Sequence, residues 1–188
     1  MKHEKLLKGM VTIPDSYQLV EEKNVYRNNK AVTVWRFQED GIFSLNGPRI
    51  IIVFSNTTIL SIKNLTTIPT GKLPSSQLAQ EVAQKTFLKS DSSYARRLSF
   101  IRIERQQRQI TLENKTAQFP VLWIKYAHAN GSYNWVTLGA DNQIIEMEID
   151  SRWDYSHGRR KTEMWDNDDW VLAREKNGPQ LMPPNALA

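Results

Sequence analysis

A strand pattern that occurs twice constrains the fold of this chain more than any other feature. The first copy ends near Asn64 and the second near Asp150. Trp35-Arg36-Phe37 leads to residues 49–54, a turn at Ser55-Asn56-Thr57-Thr58, and then Ile59-Leu60-Ser61-Ile62. Trp123-Ile124-Lys125-Tyr126 leads to residues 134–138, a turn at Ala140-Asp141-Asn142-Gln143, and then Ile144-Ile145-Glu146-Met147. From the second strand of each copy through its turn to the last, the two align without a gap. Short apolar runs punctuated by Asn, Asp and Gly are hairpin signals, so the pattern predicts two antiparallel β-meanders.

The first meander takes strands from residues 17–22, 30–38, 49–54 and 58–65, with a turn at Arg27-Asn28-Asn29-Lys30. Residues 66–74 carry two prolines and a glycine and read as a linker. Residues 75–89 form the one main helix, started by Pro74 and two serines. Leu78, Ala79, Val82, Ala83, Thr86 and Phe87 recur at helical spacing along one stripe, which should lie on a sheet. Strands at 98–104, 109–113, 119–128, 133–138 and 143–149 make the second meander, with a turn over Arg105 to Gln109. The expectation is an α+β fold divided into residues 1–65, 66–74, 75–150 and a C-terminal segment, 151–188, that is irregular, rich in tryptophan and wrapped on the body. The first ten residues read as a short helix or arm.

With 188 residues, 40% of them hydrophobic, and six each of Trp, Tyr and Phe, the chain can build a core. Its net charge of +5 mixes 25 basic with 20 acidic residues, a balance that argues for solubility more than for nucleic-acid binding. Without cysteine, disulfides, thiolate nucleophiles and Cys-ligated zinc are excluded. No apolar run approaches the ~20 residues of a membrane-spanning helix. The N-terminus has a charged start but no apolar stretch after it, so it does not read as a signal peptide as it stands.

Register assigns faces. A two-residue type I′ turn at Asn130-Gly131 would place Tyr133 opposite His128, Trp135 opposite Tyr126 and Leu138 opposite Trp123. Val121, Trp123, Val136, Leu138, Ile145 and Met147 then form the core face under the helix. Ile124, Tyr126, His128, Tyr133, Trp135, Thr137, Glu146 and Glu148 form an aromatic and acidic outer face. Ile51, Val53, Leu60 and Ile62 match the core side in the first copy, which is apolar on both faces. The outer face needs a cover, either a partner or the chain's own Trp153, Tyr155, Arg159, Arg160, Trp165 and Trp170. Tyr126, Tyr133, Trp135, Glu146 and Glu148, with those six, are the candidate partner-binding residues.

A helix opened by small polar residues and followed by strands ending in an Asp/Asn turn resembles the PepSY family. Ser76 to Phe87, Trp123 to Tyr126 and Val136 to Glu148 carry the resemblance, with Ala140-Asp141-Asn142-Gln143 at the family's turn. Asn142-Gln143 stands there in place of the usual Thr-Gly. Residues 32–64 would be a second module lacking its helix. The resemblance implies an α+β module that binds and restrains peptidases, often outside the membrane. It supplies no catalytic residue and no cofactor.

Other constellations are weaker. His3, His128 and His157 are far apart and sit in no catalytic signature. Asp166-Asn167-Asp168-Asp169 offers oxygen ligands, but Trp170 breaks the calcium-loop spacing, and a helix cap is the simpler reading. Asn56, Asn64, Asn114 and Asn130 begin N-x-S/T triplets that a chain so rich in Asn, Ser and Thr produces by chance. Arg96, Arg97, Arg102, Arg105 and Arg108, near Tyr94 and Phe100, are the contacts of an alternative nucleic-acid reading. The leading expectation is a non-enzymatic module that recognises a protein or peptide, or a second copy of itself, without metal or cofactor.

Overall fold

The computed structural model describes residues 5, 7, 9–56, 58–112 and 115–188. The predicted N-terminal helix or arm falls largely outside them, although Leu7 and Met10 are described and buried. The protein is α+β and dominated by one antiparallel sheet of eight strands. These are β1 (Tyr17–Arg27), β2 (Lys30–Glu39), β3 (Arg49–Ser55), β4 (Thr58–Leu65), β5 (Leu98–Leu112), β6 (Lys115–His128), β7 (Tyr133–Leu138) and β8 (Ile144–Ser151). Their order across the sheet is β1-β2-β3-β4-β8-β7-β6-β5. The last strand of each half therefore meets the other: Ser61, Ile62 and Lys63 of β4 pair with Glu148, Met147 and Glu146 of β8.

Helix α1 (Ser76–Ser90) starts where the Ser75 hydroxyl accepts the Leu78 backbone N–H at 3.3 Å. It packs over β4, β6 and β7. Ala79, Ala83 and Phe87 are buried in one core with Trp35, Phe37, Ile50, Ile52, Ile62, Ile124, Tyr126, Val136 and Met147. Alanines at the contact bring the helix backbone close to the sheet, and Phe87 fills the space beside them with its edge toward Tyr126, 5.4 Å between centroids. A short helix, α2 (Ser92–Ala95), follows, capped by the Asp91 carboxylate.

The C-terminal segment covers the opposite face. It holds a small β9 (Trp153–Asp154) and β10 (Arg159–Arg160) pair and helix α3 (Asp168–Arg174), capped by the Asn167 side chain. Trp165 packs on Val32, Val34, Ile51 and Val53, and Trp170 is fully buried beside it.

Three expectations about register fail. The hairpin at Asn130-Gly131 is a three-residue loop: Gly131 N–H donates to the His128 carbonyl, His128 N–H donates to the Ser132 carbonyl, and Gly131 has φ +82°. The Asn130 side-chain oxygen accepts the Ser132 N–H and hydroxyl, which fixes the loop. The type I′ pair of positive φ values occurs instead at Asn28 and Asn29, between the paired Arg27 and Lys30.

The longer loop slips β6 by one residue, so that Ile124 opposes Val136 and Lys125 opposes Trp135. Ile124, Tyr126 and His128 consequently lie on the helix face, while Trp123 lies with Trp135, Glu146 and Glu148. Lys125 shares the parity of Trp123, and the predicted register would have placed that lysine beneath the helix.

In the first half, Ile51 and Val53 face the C-terminal segment, not α1, because β4 bulges at Leu60, opposite Val53 and Phe54 of β3. Matching the two halves in space requires a one-residue gap at the turn. Finally, no turn interrupts β5, in which Arg105 to Gln109 pair residue for residue with Leu122 to Gln118. The run contains no Gly, Pro or Asn to break it. Glu113, the predicted end of the second of those strands, lies outside the described residues.

Ala83→Leu tests the close approach of the helix. The added methylenes meet a packed sheet, so stability should fall by about 1–3 kcal/mol. Urea unfolding would measure the loss, and an unchanged midpoint would contradict the packing described.

Candidate functional site

On the face beneath the C-terminal segment, residues form transverse rows, because neighbouring strands put paired side chains on the same side. One row runs Arg102, Lys125, Trp135, Glu148 and Ser61. The next runs Glu104, Trp123, Thr137, Glu146 and Lys63.

Both central carboxylates are neutralised from within the chain. Glu146 receives Lys63 Nζ at 2.7 Å, Arg108 Nε at 2.9 Å and the Thr137 hydroxyl at 2.8 Å. Burial alone would raise the Glu146 carboxyl, but Lys63 and Arg108 outweigh it and hold it well below the usual carboxylate range. Burial likewise pulls the Lys63 amine down, and Glu146 and Asp166 together hold it above the ordinary lysine value. Glu148 receives Arg27 Nη2 at 2.6 Å and, from the C-terminal segment, Arg160 Nη2.

The segment is fastened at a second point by charge. Arg36 grips Asp168 through two hydrogen bonds, 2.6 and 2.9 Å, and Arg49 Nε lies 3.4 Å from the same carboxylate. Burial would raise the Asp168 carboxyl, but Arg36 and Arg49 lower it.

A cavity of about 440 Å³ lies between sheet and segment. Trp123, Trp135, Trp153 and Met164 form its apolar walls, and Lys63, Arg108, Arg160, Glu146, Glu148 and Asp166 its charged ones. Trp123 and Trp135 also belong to an aromatic and basic strip at the cavity's edge that is partly exposed. Trp123 and Trp135 tilt together at 6.0 Å. Lys125 Nζ sits 3.9 Å from the Tyr133 ring centre and 5.2 Å from that of Trp123, while the Arg102 guanidinium is 5.6 Å from Trp123.

The candidate residues thus divide. Trp135, Glu146, Glu148, Trp153 and Arg160 meet at the cavity, and Tyr133 flanks it. Tyr155 is exposed and reaches Tyr133 through a 2.8 Å contact between hydroxyls. Trp165 and Trp170 seat the C-terminal segment over the first half. Arg159 lies in the β9–β10 pair. Tyr126 is 2% exposed under α1, so it is absent from this face. Of the arginine run, Arg108 is spent on Glu146 and Arg102 on Glu104, whereas Arg105 falls on the other parity of an edge strand. Arg96 and Arg97 precede that strand.

Sequence reading missed Arg27, Arg36, Lys63, Lys125 and Asp168. The signal was present as parity: Arg36 with Gln38, Ser61 with Lys63 and Glu146 with Glu148 each place polar residues two apart in apolar strands.

Two further groups have the composition of a reactive site but not its geometry. His157 Nδ1 lies 2.8 Å from Asp154 and 3.0 Å from the Ser156 hydroxyl. A proton relay would need the hydroxyl on Nε2 and the carboxylate on Nδ1. Here both are on Nδ1, in an exposed turn. The Ser156 hydroxyl and then His157 hold Asp154 down at about 2. His128 stacks on Tyr94 at 4.0 Å, and His3 lies outside the described residues. Among the described residues no three His, Asp or Glu side chains are placed to hold a metal. Asp168 is taken by Arg36, Asp169 by Asn46, and Asp166 lies 3.7 Å from Lys63. No helix of the described residues is long and apolar enough to cross a membrane.

Comparison of the chain with protein-family models, with curated proteins and with solved structures finds no match.

Glu146→Gln tests the charge network. At neutral pH the variant leaves Lys63 and Arg108 short of a carboxylate and should lose about 3–5 kcal/mol. Because the folded carboxyl is depressed, the parent's advantage is complete above the unfolded Glu value of about 4.3 and shrinks as pH falls below it. Urea unfolding between about pH 7 and pH 3 should show the gap narrowing toward acid. A gap that stays constant with pH would contradict the pairing.

Proposed function

We propose that this chain is a non-enzymatic binding module that recognises a protein or peptide through the strip formed by Trp123, Lys125, Tyr133 and Trp135. The single observation that carries the reading is the partial exposure of this strip at a cavity whose glutamates are already satisfied. Large aromatic side chains held on a rigid sheet are inexpensive to order on binding, which suits them to anchor a partner.

The two sheet halves are, in this proposal, copies of one PepSY-like unit, the first without its helix. Their mirrored strand order and the meeting of β4 with β8 support the idea. The one-residue gap it requires falls at a turn, where insertions are tolerated. Restraint of a peptidase is the role this resemblance favours. Nucleic-acid binding is the weaker alternative, because Arg102 and Arg108 are occupied by glutamates and Arg105 lies on the other face.

The experiment compares the immobilised chain with its Trp123→Ala/Trp135→Ala variant. Proteins retained by the parent should be lost by the variant, and a retained peptidase should be slowed by the parent only. Equal retention by both, with the variant folded by circular dichroism, would sink the proposal. A salt titration against a single-stranded oligonucleotide addresses the alternative, since phosphate contacts make affinity fall steeply with salt.

A further inference from the structure

The partner's chemistry can be read from the one cation on the strip that the fold leaves without an acid. Among the described residues, Lys63, Arg27, Arg36, Arg49, Arg108 and Arg160 each have a carboxylate within 4 Å. Lys125 has none. Its cross-strand neighbour on β5 is Arg102, a like charge, and on β7 it is Trp135. Like charges directly opposite one another on a sheet oppose folding. The amine is also half-buried, standing over the Tyr133 ring and close to Trp123. Burial, and then Arg102, push its pKa down, with Glu104 only partly compensating. The strip is therefore electropositive, flanked by indole and phenol rings, and short of one negative charge.

We propose that Lys125 is the specificity-determining contact for an acidic peptide segment. A carboxylate of the segment would lie on the Lys125 amine, and its neighbouring side chains would pack on Trp123, Trp135 and Tyr133. This rests on the strip's being the binding surface and adds the class of partner. A carboxylate supplies the missing ion pair and relieves the repulsion between Lys125 and Arg102. The flanking rings already attract cations, so they disfavour a basic segment only through the two charges they surround. A peptide fits better than a nucleic-acid strand because the strip offers one cation without an acid, whereas a phosphate backbone calls for several, and Arg102 and Arg108 are already paired with Glu104 and Glu146.

The test uses the full chain and three probes: a fluorescein-labelled peptide of alternating Glu and Tyr, its Gln–Tyr counterpart, and oligothymidylate. Anisotropy should show the Glu–Tyr peptide binding the most tightly, and salt should weaken it. Lys125→Met keeps the apolar stem and removes the charge. It should cost about ten- to a hundredfold in affinity for the Glu–Tyr peptide, the worth of a charge-assisted hydrogen bond, and leave the Gln–Tyr peptide unchanged. Lys85→Met on the exposed side of α1 should change neither. The Lys125→Met chain should stay folded, with a urea midpoint close to the parent's, since the lysine has ring contacts but no acid partner to lose. Equal affinity of the two peptides, indifferent to Lys125→Met, overturns the acidic preference and leaves the aromatic surface standing. Absence of Glu–Tyr binding, or tighter binding of oligothymidylate, overturns the partner class.

Discussion

The burial of opposite charges between the sheet and the C-terminal segment is the constraint on which the rest of this structure depends. A sheet with α1 on one face must cover the other or leave it wet. Here that face carries Arg27, Arg36, Arg49, Lys63, Glu146 and Glu148 in a row of apolar strands. Desolvating such groups is costly unless each finds its counter-charge. Asp168 and Arg160 of the segment provide two of those counter-charges, and Trp165 and Trp170 seal the apolar ground between them. Pairing of this kind contributes less net stability than an apolar core would. It does select one position for the segment, because every other position strands a charge.

That selection defines the candidate site. The segment packs closely on the first half through Trp165 and Trp170, and over β6 and β7 it leaves a cavity between Trp153 and Arg160 on its side and Trp123 and Trp135 on the sheet. At the edge of that cavity Trp123, Lys125, Tyr133 and Trp135 are partly exposed. Sequence reading expected an aromatic and acidic surface there. Internal pairing consumes the acids, and the slipped register brings Trp123 and Lys125 onto the face. What the solvent meets there is aromatic and basic.

Much of the architecture was legible in the residues. Alternating apolar runs gave every strand of the sheet except the continuity of β5, and helical spacing gave α1 with its buried Ala79, Ala83 and Phe87. Register was not legible, because Asn130-Gly131 suits both a two-residue loop and the tail of a three-residue one. Local turn chemistry does not separate them. The cost of placing Lys125 under a helix does, and it depends on a neighbour far along the chain. The pairing of Arg36 with Asp168 was hidden for the same reason, since 132 positions separate the two. Parity marked Arg36 as unusual, but nothing local named its partner.

The coupling between Arg36 and Asp168 is the contact that seats the C-terminal segment on the sheet. A double-mutant cycle with Arg36→Met, Asp168→Asn and the pair, followed by urea unfolding, measures it. If the segment is fixed by this charge pair, the two single losses are far from additive, with a coupling of about 0.5–3 kcal/mol and a double variant less damaged than their sum. Additive losses, with no coupling, would mean that the segment does not rest on the sheet through this pair.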